Sequence, residues 1–121
     1  MSCAFKYVLV LVLLVPGAGG QLRDLIGVGF DAHASSIIDG DTVDVIPAGE
    51  KRAIRVRLDG IDAPERGEPF YDRARTFVRV MLFDQSAKVQ GRNVDRYGRL
   101  VARIAVAGKD ASVELVKAGL S

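Results

Sequence analysis

Three short stretches gather the side chains that could do chemistry: "IDGDT" at residues 38–42, "RLDGIDAPE" at residues 57–65 and "DRYGR" at residues 95–99. Each alone has an ordinary reading. Asp-Gly is a turn pair, Asp-Ala-Pro-Glu suits a loop with a helix start, and Tyr-Gly-Arg suits a hairpin. Together they describe one site. Asp41 shares an alternating strand face with Val43 and Val45, so its carboxylate is expected to point inward near a barrel mouth. A carboxylate there needs a counter-charge, because an unpaired buried charge is expensive. Asp62 is a second acid just past a strand end, and hard oxygen donors of this kind suit Ca2+ or Mg2+. Pro64 fixes its own backbone angle and restricts Ala63, which gives Glu65 a defined direction. Arg57 and Arg99 are the cationic partners. Such a set meets the needs of phosphoryl transfer. Metal and guanidinium groups stabilise charge growing on phosphate oxygens while a carboxylate handles the water. Asp59 is left with no role beyond a turn.

The elements that must position these residues are legible in outline. From Ser36 the chain turns strand-like, with β-branched residues on both sides of Asp39-Gly40 and a turn at Pro47-Ala48-Gly49. In "RAIRVRL" alternation puts Ile54, Val56 and Leu58 on one face and Arg55 and Arg57 on the other. Loop signals fill residues 59–69. In "YDRARTFVRVMLF" Ala74, Phe77, Val78, Met81 and Leu82 recur at helical spacing, leaving Arg73, Arg75 and Arg79 on a solvated face. Strand returns at "KVQGRNV" and "RLVARIAV", broken by the turn-like "DRYG". A short amphipathic helix follows in "DASVELVKAGLS", with Asp110 or Ser112 as cap and Gly119 as stop. Strands, helix, strands, helix in about a hundred residues predict a small closed or partly closed barrel with helices outside it.

The first twenty residues read as a removable export signal, with a retained N-terminal anchor as the alternative. Lys6 precedes an apolar run at residues 7–15, and "PGAGG" supplies a breaker and small residues before Gln21. That run is short of the ~20 apolar residues of a membrane span. Residues 21–35, with the lone His33, read as a leader into the first strand, and residues 36–121 as one domain. Cys3 is the only cysteine and lies in the signal, so packing rather than disulfides must hold the domain. One histidine and no cysteine pair argue against zinc. The formal charge of the whole chain is only +2, which argues against a nucleic-acid binder that works by a general basic surface. Arginine outnumbers lysine twelve to five, and arginine suits planar two-pronged grip on phosphate.

The motifs "IDGDTV", "VRLDGIDAPE", the "PF…A" start of a helix, "DRYGRLVA" and "LVKAGL" occur in the order, and close to the spacing, of the staphylococcal nuclease (thermonuclease) family. The sequence resembles that family from about residue 36 to residue 121. The resemblance implies a mainly β fold with helices, an oligonucleotide-binding-type (OB-fold) five-stranded barrel. It implies Ca2+-dependent hydrolysis of phosphodiester bonds in DNA and RNA, single-stranded or denatured for preference. Asp41 and Asp62 would be side-chain metal ligands and Ala63 would offer its main-chain carbonyl. Better-known members often carry threonine there. Asp39 would be a nearby supporting acid. Arg57 and Arg99 match the two catalytic arginines, and Glu65 matches the glutamate that activates or orients the attacking water. Tyr97 matches a nucleotide-contacting tyrosine, with Arg96 beside it. The resemblance also departs at one point. Better-known members continue past "KAGLS" with another tyrosine-bearing segment and a final helix, so that helix and those tyrosines are not expected here. A secreted or periplasmic, monomeric nuclease without stable membrane association is the first expectation. A nuclease-like module that binds without cutting, and an inactive fragment, are the alternatives.

Overall fold

A computed structural model of the chain describes residues 19–121. The apolar run read as an export signal lies outside the described residues. Among those described, a 3₁₀ turn at Gly19–Leu25 precedes six strands and two helices. They are β1 (Gly29–Asp39), β2 (Thr42–Pro47), β3 (Ile54–Leu58), α1 (Tyr71–Leu82), β4 (Ser86–Val94), β5 (Leu100–Val106), β6 (Lys109–Asp110) and α2 (Ala111–Lys117).

The first five strands close into a barrel. Their order is β3-β2-β1-β4-β5, and β3 returns to pair with β5. That closing pair is parallel, Val56 opposite Leu100 and Leu58 opposite Ala102; the other four pairings of the barrel are antiparallel. The mainly β barrel with external helices is the architecture expected from the element order.

β1 corrects one boundary. It starts at Gly29, inside the segment read as a leader, and places His33 on a strand, opposite Ile46 and Ser86. The alternation is present, since Phe30, Ala32 and Ala34 are buried between more open neighbours. It is muted because two of the three inward residues are alanines, which carry little apolar weight and weak strand preference. Length is what lets β1 serve two partners. Its start pairs with β4, its remainder with β2, and register shifts between Ala34/Ser36 and Ile37/Asp39 bend it from one to the other.

Elsewhere period and burial agree. Ile54, Val56 and Leu58 are buried, as are Val43, Val45, Leu100 and Ile104, each such side chain contributing roughly 1.5–3 kcal/mol when taken from water. Helix α1 lays Ala74, Val78 and Leu82 on the barrel, flanked by the partly buried Phe77 and Met81. Arg73 and Arg79 are exposed as expected, but Arg75 is not on a solvated face. Its Nε donates to the carbonyls of Ile37 and Ile38 at 3.2 and 3.1 Å, beside the second register shift of β1. The bend leaves those carbonyls facing the helix, and the arginine satisfies them.

Helix α2 starts on Asp110, whose carboxylate accepts from the Val113 N–H at 3.0 Å. Ser112 instead is buried and donates its hydroxyl to the Asp59 carbonyl at 2.7 Å. The helix stops at Gly119, with φ of 72°. There the N–H groups of Gly119 and Leu120 return to the carbonyls of Val116 and Leu115, the double bond pattern of a glycine-stopped helix.

Candidate active site at the barrel rim

Strand pairing brings the three motifs to one end of the barrel. The turn between β1 and β2 carries Asp41, the end of β3 and its loop carry Arg57 to Glu65, and the β4–β5 turn carries Tyr97 and Arg99. Thr42 lies opposite Arg57 across the β2–β3 ladder, and Arg57 lies opposite Val101 across the closing pair. Only closure of the barrel makes neighbours of residues 41, 57 and 99.

Arg99 is fixed first by its own turn. Asp95 accepts from the main-chain N–H groups of Tyr97 and Arg99, both at 2.9 Å, and from Arg99 Nε at 2.7 Å. Burial acts to raise the Asp95 carboxyl pKa, but these bonds from Arg99 and Tyr97 outweigh it and hold the group below its ordinary value. With Nε taken, the outer nitrogens of Arg99 face the rim, and Nη1 donates to Thr42 Oγ1 at 3.3 Å. Thr42 is 3% exposed and donates in turn to Asp41 Oδ1 at 3.0 Å.

The other Asp41 oxygen links to the second arginine. Asp41 Oδ2 accepts from the Ala63 N–H at 3.2 Å and lies 3.6 Å from Arg57 Nη2. The same Nη2 lies 3.5 Å from Asp62 Oδ1. Arg57 Nη1 donates to the carbonyls of Leu58 and Ile61, both at 2.9 Å. These bonds wrap the loop after β3 around the guanidinium. Gly60, with φ of 81°, makes the reversal that aims the Ile61 carbonyl back at it.

The candidate metal ligands are thus partly assembled. The carboxylates of Asp41 and Asp62 converge on one positive nitrogen, and their hard oxygens are of the type a Ca2+ ion takes. Asp41 is mostly buried, whereas the Asp62 side chain is 95% exposed and free to turn. Among the described residues no group of three or more Asp, Glu, His or Cys side chains gathers at one point. An ion here would complete its shell with main-chain carbonyl and water oxygens, a set compatible with Ca2+.

The remaining candidates fall on either side. Arg96 and Tyr97 line a cleft of about 350 Å3 together with Arg57 and Arg99. The Tyr97 ring is exposed, with the Arg99 and Arg96 guanidinium carbons 5.3 and 5.1 Å from its centroid. Glu65 lines an adjoining cleft of about 380 Å3 with Asp62, Ala63 and Pro64; its main-chain N–H is held by the Glu68 carboxylate at 2.6 Å. Asp39 faces α1, where its carboxylate accepts from the Tyr71 hydroxyl at 2.7 Å. That bond pushes the Tyr71 pKa above its ordinary value. Asp59 lies 3.7 Å from Arg92 and 3.8 Å from Arg103.

Thr42 and Asp95 stand inside the quoted motifs, yet the sequence reading assigned them nothing. Their signal was a hydroxyl residue beside an inward acid, and an Asp opening a glycine turn, both common enough to pass as local structure.

Fold and site together define a barrel of the oligonucleotide-binding type with arginines and carboxylates at one rim. A profile described as staphylococcal nuclease homologue matches residues 55–121, more than half of the chain. The chain belongs to the staphylococcal nuclease homologue family. It is 46% identical over 70 residues to a protein of Shigella flexneri named micrococcal nuclease, covering 58% of this chain and 39% of that protein. It is 44% identical over 68 residues to Protein ParB of Escherichia coli, covering 56% and 37%. It is 31% identical over 85 residues to an uncharacterized endonuclease of Haemophilus influenzae, covering 70% and 47%. The chain therefore spans less than half the length of each of these relatives. Asp41 and Thr42 precede the profile match and are tied to it by the hydrogen bonds above.

Proposed function

We propose that this protein hydrolyses phosphodiester bonds in DNA and RNA, with Ca2+, and prefers single-stranded or denatured substrate. The observation that supports this reading most directly is the unbroken chain Arg99–Thr42–Asp41–Arg57–Asp62. It unites three segments distant in sequence and gives a nuclease-family rim two guanidinium groups and two carboxylates. The relatives named as nucleases and endonucleases support it as well.

In this reading Arg99 and Arg57 donate N–H groups to the scissile phosphate and stabilise the negative charge that grows on its oxygens. Asp95 and Thr42 orient Arg99, so little reorganisation is needed as that charge develops. Asp41 and Asp62, with the Ala63 carbonyl, hold Ca2+, which supplies Lewis-acid stabilisation when bound. Glu65 orients or deprotonates the attacking water from the adjoining cleft, and Tyr97 and Arg96 receive the neighbouring nucleotide. The apolar amino-terminal run supports export, hence a secreted or periplasmic site of action.

A second reading, binding without cleavage, draws support from Arg57, whose outer nitrogens are all engaged by protein acceptors. One assay separates the two. The purified protein is incubated with denatured DNA in Ca2+ or in chelator, beside an Arg99→Ala control. Ca2+-dependent cleavage lost in the control is the expected result. Retention of DNA without cleavage would favour the binding module and overturn the hydrolytic proposal.

A further inference from the structure

Next to the rim lies a cleft that none of the assigned roles uses. It has a volume of about 620 Å3 and is lined by Arg66, Phe70, Tyr71, Arg73 and Arg75, with Glu68 and Asp72 as its acids. Arg66 and Arg73 form no ion pair among the described residues. Each instead lies over an aromatic ring, Arg66 at 6.0 Å from the Tyr71 centroid and Arg73 at 5.7 Å from that of Phe70. Phe70 has an unusual backbone. Its φ of 69° is left-handed, a conformation costly for a bulky residue, and the residue is 55% exposed. Strain that holds a large apolar ring in solvent at the start of α1 has no reward in the core, and retained strain of this kind gathers at ligand-contacting sites.

The cleft is also continuous with the rim. Phe70 and Glu68 line both it and the cleft that holds Asp62 and Glu65. Unpaired arginines beside an exposed ring are the chemistry that grips a flexible single strand. Guanidinium groups take phosphates, and a ring accepts any base face regardless of sequence. Resting on the nuclease reading above, we propose that Arg66, Phe70 and Arg73 form a subsite for a single-stranded nucleic acid, continuing the strand past the scissile position. Phe70 stacks on a base and the two arginines bind flanking phosphates.

The test compares two substrates, a small nucleoside phosphodiester that reaches only the rim and a single strand of about 15 nucleotides. Phe70→Gly and the double variant Arg66→Ala with Arg73→Ala are measured on both. Both variants are expected to raise KM for the long strand, Phe70→Gly by about tenfold, the weight of one stacked base. The arginine pair should also flatten the salt dependence by about 0.7 per lost phosphate contact. Turnover of the small diester should stay at the level of the unaltered protein. Because glycine relieves the positive φ, Phe70→Gly should melt no lower than the parent, so weaker binding cannot be laid to unfolding. An unchanged KM for the long strand overturns the subsite, whatever else occupies the cleft. If the parent turns over neither substrate, the nuclease reading fails on its own. Fluorescence anisotropy with the labelled strand then decides the subsite: binding weakened by Phe70→Gly supports it, while absent or unaltered binding refutes it.

Discussion

Arg99 shows how much a single side chain depends on the groups that hold it. Three acceptor contacts on Asp95 define its turn and occupy its Nε, leaving the outer nitrogens toward the rim. Removing a donor that stabilises growing charge typically lowers turnover by about 10²–10³, and Arg99→Ala should do so in the Ca2+ assay. Asp95→Asn should keep the turn roughly in place while removing the charge beside Arg99. The Asp95 pKa lies below its ordinary value in the folded protein. Its stabilising contribution is therefore fully present above the unfolded value of ~3.9 and disappears as pH falls through the lowered folded value. Denaturant midpoints of the parent and Asp95→Asn should thus differ by a constant amount above about pH 5 and converge in acid. A difference that persists unchanged at the lowest pH would argue against an ionic role for Asp95.

Among the elements, β4 is most constrained where its register against β5 shifts between Gly91 and Asn93. A Cβ on Gly91 would collide with the Leu25 carbonyl oxygen, where the 3₁₀ turn docks on β4. The Gly91 N–H and C=O also bond to the Val28 carbonyl and the Gly27 N–H, at 3.0 and 2.9 Å. Gly91→Ala must displace that turn, and a loss of roughly 1–3 kcal/mol is expected by urea denaturation. The rim chemistry should survive at temperatures where the variant is folded, since the Gly91 main chain bonds to the Gly27–Val28 turn and not to the rim. The N-cap of α2 is a milder case. Asp110→Ala removes the bond to Val113 and the 3.4 Å contact with Arg103, and a cost of about 1 kcal/mol would follow.

At the scale of the molecule, barrel closure and site assembly are one event. The parallel β3–β5 pairing both seals the core and places Arg57 next to the strand that begins after Arg99. Leu100 is fully buried at that seam, so Leu100→Ala should cost about 2–5 kcal/mol. In the variant, nuclease activity and far-UV ellipticity should then be lost at the same denaturant concentration. Activity that outlasts the fold signal would show that the rim does not need the closed barrel.

The sequence by itself determined what local periodicity and backbone chemistry dictate. Alternation in 54–58 and helical spacing in 74–82 located β3 and α1, and Gly119 marked the end of α2. The motif residues Asp41, Arg57, Asp62 and Arg99 read from the sequence as candidates for one cluster, and contacts through Thr42 link all four in the structure. Local pattern failed where side chains carried little signal, as in the alanine-lined start of β1, and where a polar group answers a distant need. Arg75 looked solvated because nothing in its helix reveals two carbonyls at a bend in β1. The tertiary structure alone decided that Thr42 joins Asp41 to Arg99, that Arg57 is wrapped by its own loop, and that Asp39 turns toward Tyr71. The first depends on barrel closure, the second on a loop reversal at Gly60, and the third on a helix docking against β1; none of these leaves a periodic trace along the chain.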